Sequence, residues 1–271
     1  MQMKQYQYYF FDLDGTLLMG GELIPHAQEL IEELYVQKKQ VFFLTNHPVR
    51  SRQILSNDLQ SMGLRLTEDQ LITPIAALEK YFPEEHKKEV QLYVIGSTMI
   101  KDEIRNLGFR IVEEAASNRD PSYVVLGMAP SITYTELQEG FHLLQKGRKL
   151  ILLNRDLLCP NPKGYLIDTG SLARLLDHPH IVPDPVVLGK PSFWMQQAIR
   201  QQNAGNCHLS VIIGDSLPSD IAIGEAMGID TCLVLTGVTS EDELAKHEQQ
   251  PTFVYNSVSD IYLEIKEQSY V

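Results

Sequence analysis

Short apolar runs rich in aromatic and β-branched residues recur along the chain with helical stretches between them, and that alternation constrains the fold most. The runs fall near Tyr8–Phe11, Val41–Leu44, Gln91–Ile95, Tyr123–Leu126, Leu150–Leu153, Val211–Ile213 and Cys232–Leu235. Between the first two, Ala27, Leu30, Ile31 and Leu34 follow the spacing of one helix face. Capping boxes at Thr67 with Gln70, Thr133 with Glu136 and Ser240 with Glu243 mark helix starts. Gly147 stops the helix that carries Leu137, Phe141 and Leu144. Nearly continuous apolar strands separated by helices predict a parallel sheet covered on both faces, a doubly wound α/β fold.

The first strand ends in Asp12-Leu13-Asp14-Gly15-Thr16, directly after Tyr8-Tyr9-Phe10-Phe11. In extended backbone, residues i and i+2 point the same way, so Asp12 and Asp14 are expected to project together from the end of a buried strand. Carboxylates that close repel unless a cation neutralises them, and hard oxygen ligands suit Mg²⁺. A helix-loop-helix calcium site would need glycine at its sixth position and glutamate at its twelfth; Leu17 and Leu23 stand there. The next segment, Leu17 to Ile24, reads as a small hairpin with Gly20-Gly21 at its tip, placed to act as a flap.

Three further apolar runs lead into polar residues. Val41-Phe42-Phe43-Leu44 precedes Thr45-Asn46, Val186-Val187-Leu188 precedes Gly189-Lys190-Pro191, and Val211-Ile212-Ile213 precedes Gly214-Asp215, with Asp220 at a helix start. In open parallel sheets ligands bind beyond the carboxyl ends of the strands, so these groups can meet at one edge. Taken singly the pieces are ordinary: Thr45-Asn46 alone is a common strand exit or helix cap, and Lys190 a solvated turn lysine. Gly189-Lys190-Pro191 is no nucleotide P-loop, because Asp184 and Pro191 replace its glycine and hydroxyl residue. GxSxG, HExxH and GxGxxG are absent.

At 271 residues the chain suits a core with an inserted lid. The expected division is a catalytic core over 1–78 and 184–271 and a smaller α/β cap over 79–183, with Pro183-Asp184-Pro185 as one linker. The other crossing is expected near Thr73-Pro74 or Phe82-Pro83. Net charge is −12 and no basic run exceeds Lys87-Lys88, which argues against nucleic acid or an anionic membrane as partner. Cys159, Cys207 and Cys232 are scattered and odd in number, as expected for reduced thiols in a cytoplasmic protein. No apolar run approaches the ~20 residues of a membrane helix, and no signal-type segment precedes Asp12.

In order, Asp12-Leu13-Asp14-Gly15-Thr16, Thr45-Asn46, Lys190, and Gly214-Asp215 with Asp220 resemble the four motifs of the haloacid dehalogenase (HAD) superfamily. The segment between the second and third motifs resembles a type-II cap. Leu44-Thr45-Asn46, Asn154-Arg155-Asp156, Gly214 to Ile221 and Leu235-Thr236-Gly237-Val238 are similar to the NagD-like, p-nitrophenyl phosphatase-like branch. The chain departs from that branch at His47-Pro48, at Ser219 and at Ile167-Asp168-Thr169-Gly170, none of which removes a catalytic group.

The resemblance implies a Mg²⁺-dependent phosphatase. Asp12 would be the nucleophile and Asp14 the general acid and base. Asp12, the backbone carbonyl of Asp14 and Asp215 would bind the metal, with Asp220 in or near its outer shell. Thr45, Asn46 and Lys190 would bind the phosphoryl group. Asn154, Arg155, Asp156 and Lys163 are the cap candidates for specificity. The implied partner is a small phosphorylated metabolite such as a sugar phosphate, nucleoside monophosphate, phosphoglycolate or pyridoxal phosphate, and the branch allows a homo-oligomer. A phosphometabolite-binding protein without turnover and a phosphotransferase or mutase are the competing functions.

Overall fold

The computed structural model describes residues 3–47, 49–113, 121–161, 163–178, 184–248 and 250–268. Pro48 and Pro183 lie outside them. By contacts the chain forms two compact units: Met1–Thr45, Ser56–Ile72 and Gln196–Val271 make the first, Asn46–Leu55 and Thr73–Met195 the second.

The first unit holds a six-stranded sheet in the order Phe253–Tyr255, Asp230–Val234, Ser210–Gly214, Tyr8–Phe11, Gln40–Leu44, Leu71–Ile72. Every pairing in it is parallel. Phe10, Phe11, Phe43, Ile212 and Ile213 are all buried, so both faces are covered, as their unbroken apolar runs require. From Tyr8–Phe11 the chain builds the sheet outward on one side, then returns to build the other from Ser210–Gly214. The sheet therefore reverses its winding between these two strands. Such a switch point opens a crevice beyond the strand ends. Phe11 pairs with Ile213 on one side and Phe43 on the other, which brings the residues after each strand to one level. The small hairpin Leu18–Met19 with Glu22–Leu23 follows the first strand, as its Gly-Gly tip predicts.

The second unit has its own five-stranded parallel sheet, ordered Val186–Val187, Lys149–Leu152, Tyr123–Leu126, Gln91–Ile95, Arg110–Ile111. Period-two alternation divides its side chains between two apolar clusters. Leu92, Val94, Val125 and Ile151 pack with helices Pro74–Tyr81 and Thr98–Asn106. Tyr93, Ile95, Val124, Leu150 and Leu152 pack with helices Tyr134–Gln145 and Thr169–Leu176.

This division differs from boundaries at 78/79 and 183/184. Ile75, Ala77, Leu78 and Leu188 belong to the first of those clusters, with Trp194 packed against it, so Thr73–Leu78 and Asp184–Met195 pack with the second unit. A second difference is the antiparallel hairpin Leu158–Asn161 with Gly164–Ile167, which the sequence did not announce because Pro160 breaks its strand pattern. All three capping boxes form, over Glu68–Gln70, Tyr134–Gln145 and Glu241–Lys246. Among the described residues no helix is long and apolar enough to cross a membrane.

Candidate active site

In the first unit the carboxylates of Asp12, Asp215 and Asp220 converge. One oxygen from each lies within 4.8 Å of the others, and all three residues are buried. Asp12 follows the first strand, where its N–H donates to the Ile213 carbonyl at 2.8 Å. Asp215 follows the neighbouring strand, Ser210–Gly214. Asp220 lies in a wide, π-helical turn, Leu217–Ile221, that leads into helix Ala222–Met227. Its Oδ2 accepts from Ser216 N–H at 3.1 Å, which folds the turn back over the strand end.

Close packing holds these groups. Val238 N–H donates to Asp215 Oδ2 at 2.6 Å, and Thr239 N–H to the Asp215 carbonyl at 3.2 Å. Gly237 lies so close that a Cβ there would overlap the Asp215 carboxyl, and a Cβ on Gly214 would overlap that of Asp220. Gly15 turns the chain after the strand with φ +88°, and Thr236 Oγ1 donates to its carbonyl at 2.6 Å. Thr16 Oγ1 reaches Asp12 Oδ2 at 3.4 Å. In the sequence, Thr236-Gly237-Val238 stands out only through its likeness to the NagD-like branch. Their part in holding Asp215 was missed, because nothing along the chain marks a loop as adjacent to Asp215.

Asp14 differs from Asp12. Strand pairing ends at Phe11, so strict alternation does not run on to residue 14, and the Asp14 side chain is exposed and outside the carboxylate cluster. The backbone there turns back, with Asp14 bridging to Leu18 and Gly15 N–H donating to Leu18 at 2.7 Å. Thr45 is buried in the same unit at the end of Gln40–Leu44, and its N–H donates to Ile72 at 3.1 Å.

The remaining candidates belong to the second unit. Val186–Val187, the strand before Lys190, pairs with Lys149–Leu152, so the single-edge argument from one sheet does not extend to this lysine. Lys190 is buried. Its N–H donates to Asn46 Oδ1 at 2.7 Å, and Asn46 Nδ2 donates to Asp156 Oδ2 at 3.0 Å. Asn154, fully buried, donates from Nδ2 to the Asn46 carbonyl at 2.9 Å, and its Oδ1 accepts Asp156 N–H at 3.1 Å. Four of the predicted residues, Asn46, Asn154, Asp156 and Lys190, therefore meet. Arg155 instead lines a cavity of about 340 Å³ with Arg174, Asp177 and Asp184, and Lys163 is exposed near the hairpin tip.

The haloacid dehalogenase-like hydrolase family matches residues 9–110, and a HAD-hydrolase-like family matches 187–261. The 5'-nucleotidase YutF of Bacillus subtilis is 32% identical over 95% of this chain and 98% of its own. The sugar-phosphatase AraL of the same organism is 30% identical over 92% of this chain and 90% of its own. The chain is a HAD-like hydrolase. Within that family it falls in the NagD-like branch. The p-nitrophenyl phosphatase of Archaeoglobus fulgidus superposes with a TM-score of 0.86 at 27% identity, covering 96% of this chain and 99% of the other. NagD of Escherichia coli superposes at 0.82 with 25% identity over 95% and 98%. Like these HAD relatives the chain is an enzyme, a phosphoric monoester hydrolase.

The family implies a divalent cation, and the carboxylate cluster fits one. Its donors are all hard oxygens, without the imidazole or thiolate that zinc or copper sites favour.

Proposed function

We propose that this HAD-like hydrolase is a Mg²⁺-dependent phosphatase of small phosphomonoesters, working through an aspartyl phosphate on Asp12. The observation that carries the reading is the convergence of three buried carboxylates, Asp12, Asp215 and Asp220, beyond the ends of adjacent parallel strands. Buried like charges at such separations are costly unless a cation shares them. Asp12, Asp215 and Asp220, with the Asp14 carbonyl, would hold Mg²⁺. When bound, the ion supplies the positive charge that offsets these carboxylates and the phosphoryl oxygens.

The chain's own groups do the rest. The Asp12 carboxylate attacks phosphorus, and the bond from phosphorus to the leaving oxygen breaks. Asp14, exposed and free of the cluster, gives that oxygen its proton. It then takes a proton from the water that attacks the aspartyl phosphate, releasing inorganic phosphate and restoring Asp12. Thr45 and Lys190 come to phosphoryl binding by their motifs, a hydroxyl donor and a cation suited to phosphoryl oxygens. The substrate class we infer is sugar phosphates and nucleoside monophosphates, in keeping with relatives named sugar-phosphatase, 5'-nucleotidase and dihydroxyacetone phosphatase.

Phosphate release from a panel of such esters tests this, comparing wild type with Asp12→Asn and with an EDTA-treated sample. Both controls should lose at least ~10³-fold of the rate. Wild type silent on every ester with Mg²⁺ present, or Asp12→Asn as active as wild type, sinks the reading.

A further inference from the structure

The four-residue network of the second unit gives Asp156 a different task from contacting a leaving group. Lys190 N–H can only donate, and an ionised Asp156 carboxylate can only accept. Between them, the Asn46 amide has one satisfied orientation, with Oδ1 toward Lys190 at 2.7 Å and Nδ2 toward Asp156 at 3.0 Å. Asn154 clamps the same residue from behind through the Asn46 carbonyl, and it also fixes Asp156 through its N–H. The fit is tight. A Cβ on Gly189 would come within 2.7 Å of Asn46 Oδ1 and 2.8 Å of the Leu153 carbonyl. Asp156 is anchored in turn, its carbonyl accepting Gly170 N–H at 2.9 Å.

We propose that Asp156 is a positioning residue: it orients the Asn46 amide, which fixes the backbone at Lys190 and so the lysine that handles the phosphoryl group. This rests on the phosphatase reading for what Lys190 does; the network itself does not. A residue acting on the phosphoryl end affects every substrate alike, because that end is common to all of them. One that contacts leaving groups changes KM selectively.

The test measures kcat and KM for p-nitrophenyl phosphate and for a sugar phosphate, and inorganic phosphate affinity by calorimetry. The proteins are wild type, Asp156→Ala, Asp156→Asn, Asn46→Ala and the Asn46→Ala/Asp156→Ala double variant. Asp156→Ala should lower kcat about tenfold on both esters by a common factor, and weaken phosphate about tenfold. Asp156→Asn keeps an acceptor oxygen and should stay within about threefold of wild type. In the Asn46→Ala background the second change should cost nothing further, since the relay is already cut. Unchanged kcat and phosphate affinity in Asp156→Ala, a KM effect on one ester alone, or additive losses in the double variant would overturn the proposal. Should Asp156→Ala not fold, Asp156→Leu, alone and with Asn46→Ala, takes its place under the same criteria, and intact phosphate affinity in Asn46→Ala also overturns the proposal. A wild type that binds phosphate without turnover refutes the hydrolase reading and leaves the affinity comparison to decide this one.

Discussion

Asp215 is held by what its neighbours lack. Gly237 approaches so closely that any side chain there would occupy the volume of the Asp215 carboxyl, while Val238 N–H donates to the oxygen on that side at 2.6 Å. The carboxylate cannot move aside without losing that bond, so Gly237→Ala must shift Asp215 or the loop. The fold should survive, since the loop lies beyond a strand end. With Asp215 in its proposed role as a Mg²⁺ ligand, the half-saturating Mg²⁺ concentration for phosphate release should rise about tenfold, as is usual when support around a metal ligand is disturbed. A Mg²⁺ titration of activity checks this, and an unchanged curve would show that Asp215 is not so confined. At this scale Asp12, Asp215 and Asp220 stand out in the sequence, because acidic residues after apolar runs are conspicuous. The pairing of Asp14 with Asp12 is not what forms, because strand pairing stops at Phe11. Gly237 was not legible, because a missing side chain matters only through what packs against it.

Helix Thr169–Leu176 begins at Asp168, whose Oδ1 accepts Thr169 N–H and also receives Asn154 Nδ2 at 3.4 Å. Burial, and secondarily the nearby Asp156 charge, raise its pKa above the ordinary 3.8 despite the bonds that favour the charged form. A carboxyl whose folded pKa is raised binds its proton more tightly when folded. Its contribution to stability is therefore fully present below pH 3.8 and is lost as pH rises through the folded value. Asp168→Asn keeps a good capping oxygen and removes that titration. The thermal midpoint of wild type minus that of the variant should thus fall as pH is raised above about 3.8, then level off. A difference that is flat or rises over that range would show that the cap bonds outweigh burial. Among elements, the helices with capping boxes and the long strands were readable because local chemistry announces them. The two-residue edge strand Arg110–Ile111 and the hairpin across Pro160 carry too little local pattern and exist through their partners, whereas Val186–Val187 is legible as an apolar run but its place in the second sheet is not.

Across the whole molecule, net charge −12 opposes gathering three carboxylates in a buried place, yet Asp12, Asp215 and Asp220 meet there. At an effective dielectric of about 20, each ionised pair at such separations repels by on the order of 3 kcal/mol. A divalent cation relieves this in the folded state and has no such cluster to bind in the unfolded chain. Alternation of strands and helices made the α/β class legible. The division into units was less so, because it depends on which sheet claims residues such as Leu78 and Leu188, a matter of three-dimensional packing. The carboxylate cluster connects both levels, since it forms only when strands far apart in sequence, Tyr8–Phe11 and Ser210–Gly214, lie side by side. Mg²⁺ should accordingly stabilise the fold as a ligand of the native state alone, by about 2.7 kcal/mol at a hundred times its dissociation constant. EDTA should remove that gain, and NaCl at matched ionic strength should not reproduce it, because screening acts weakly on buried charges. In Asp215→Asn the metal-free protein should unfold at least as high as metal-free wild type, one repelling charge having gone, while its Mg²⁺-dependent gain shrinks. Unfolding curves of both proteins with Mg²⁺, EDTA and NaCl separate these terms. An equal Mg²⁺ gain in wild type and Asp215→Asn would mean that the ion binds elsewhere and that packing alone holds the three carboxylates together against their repulsion.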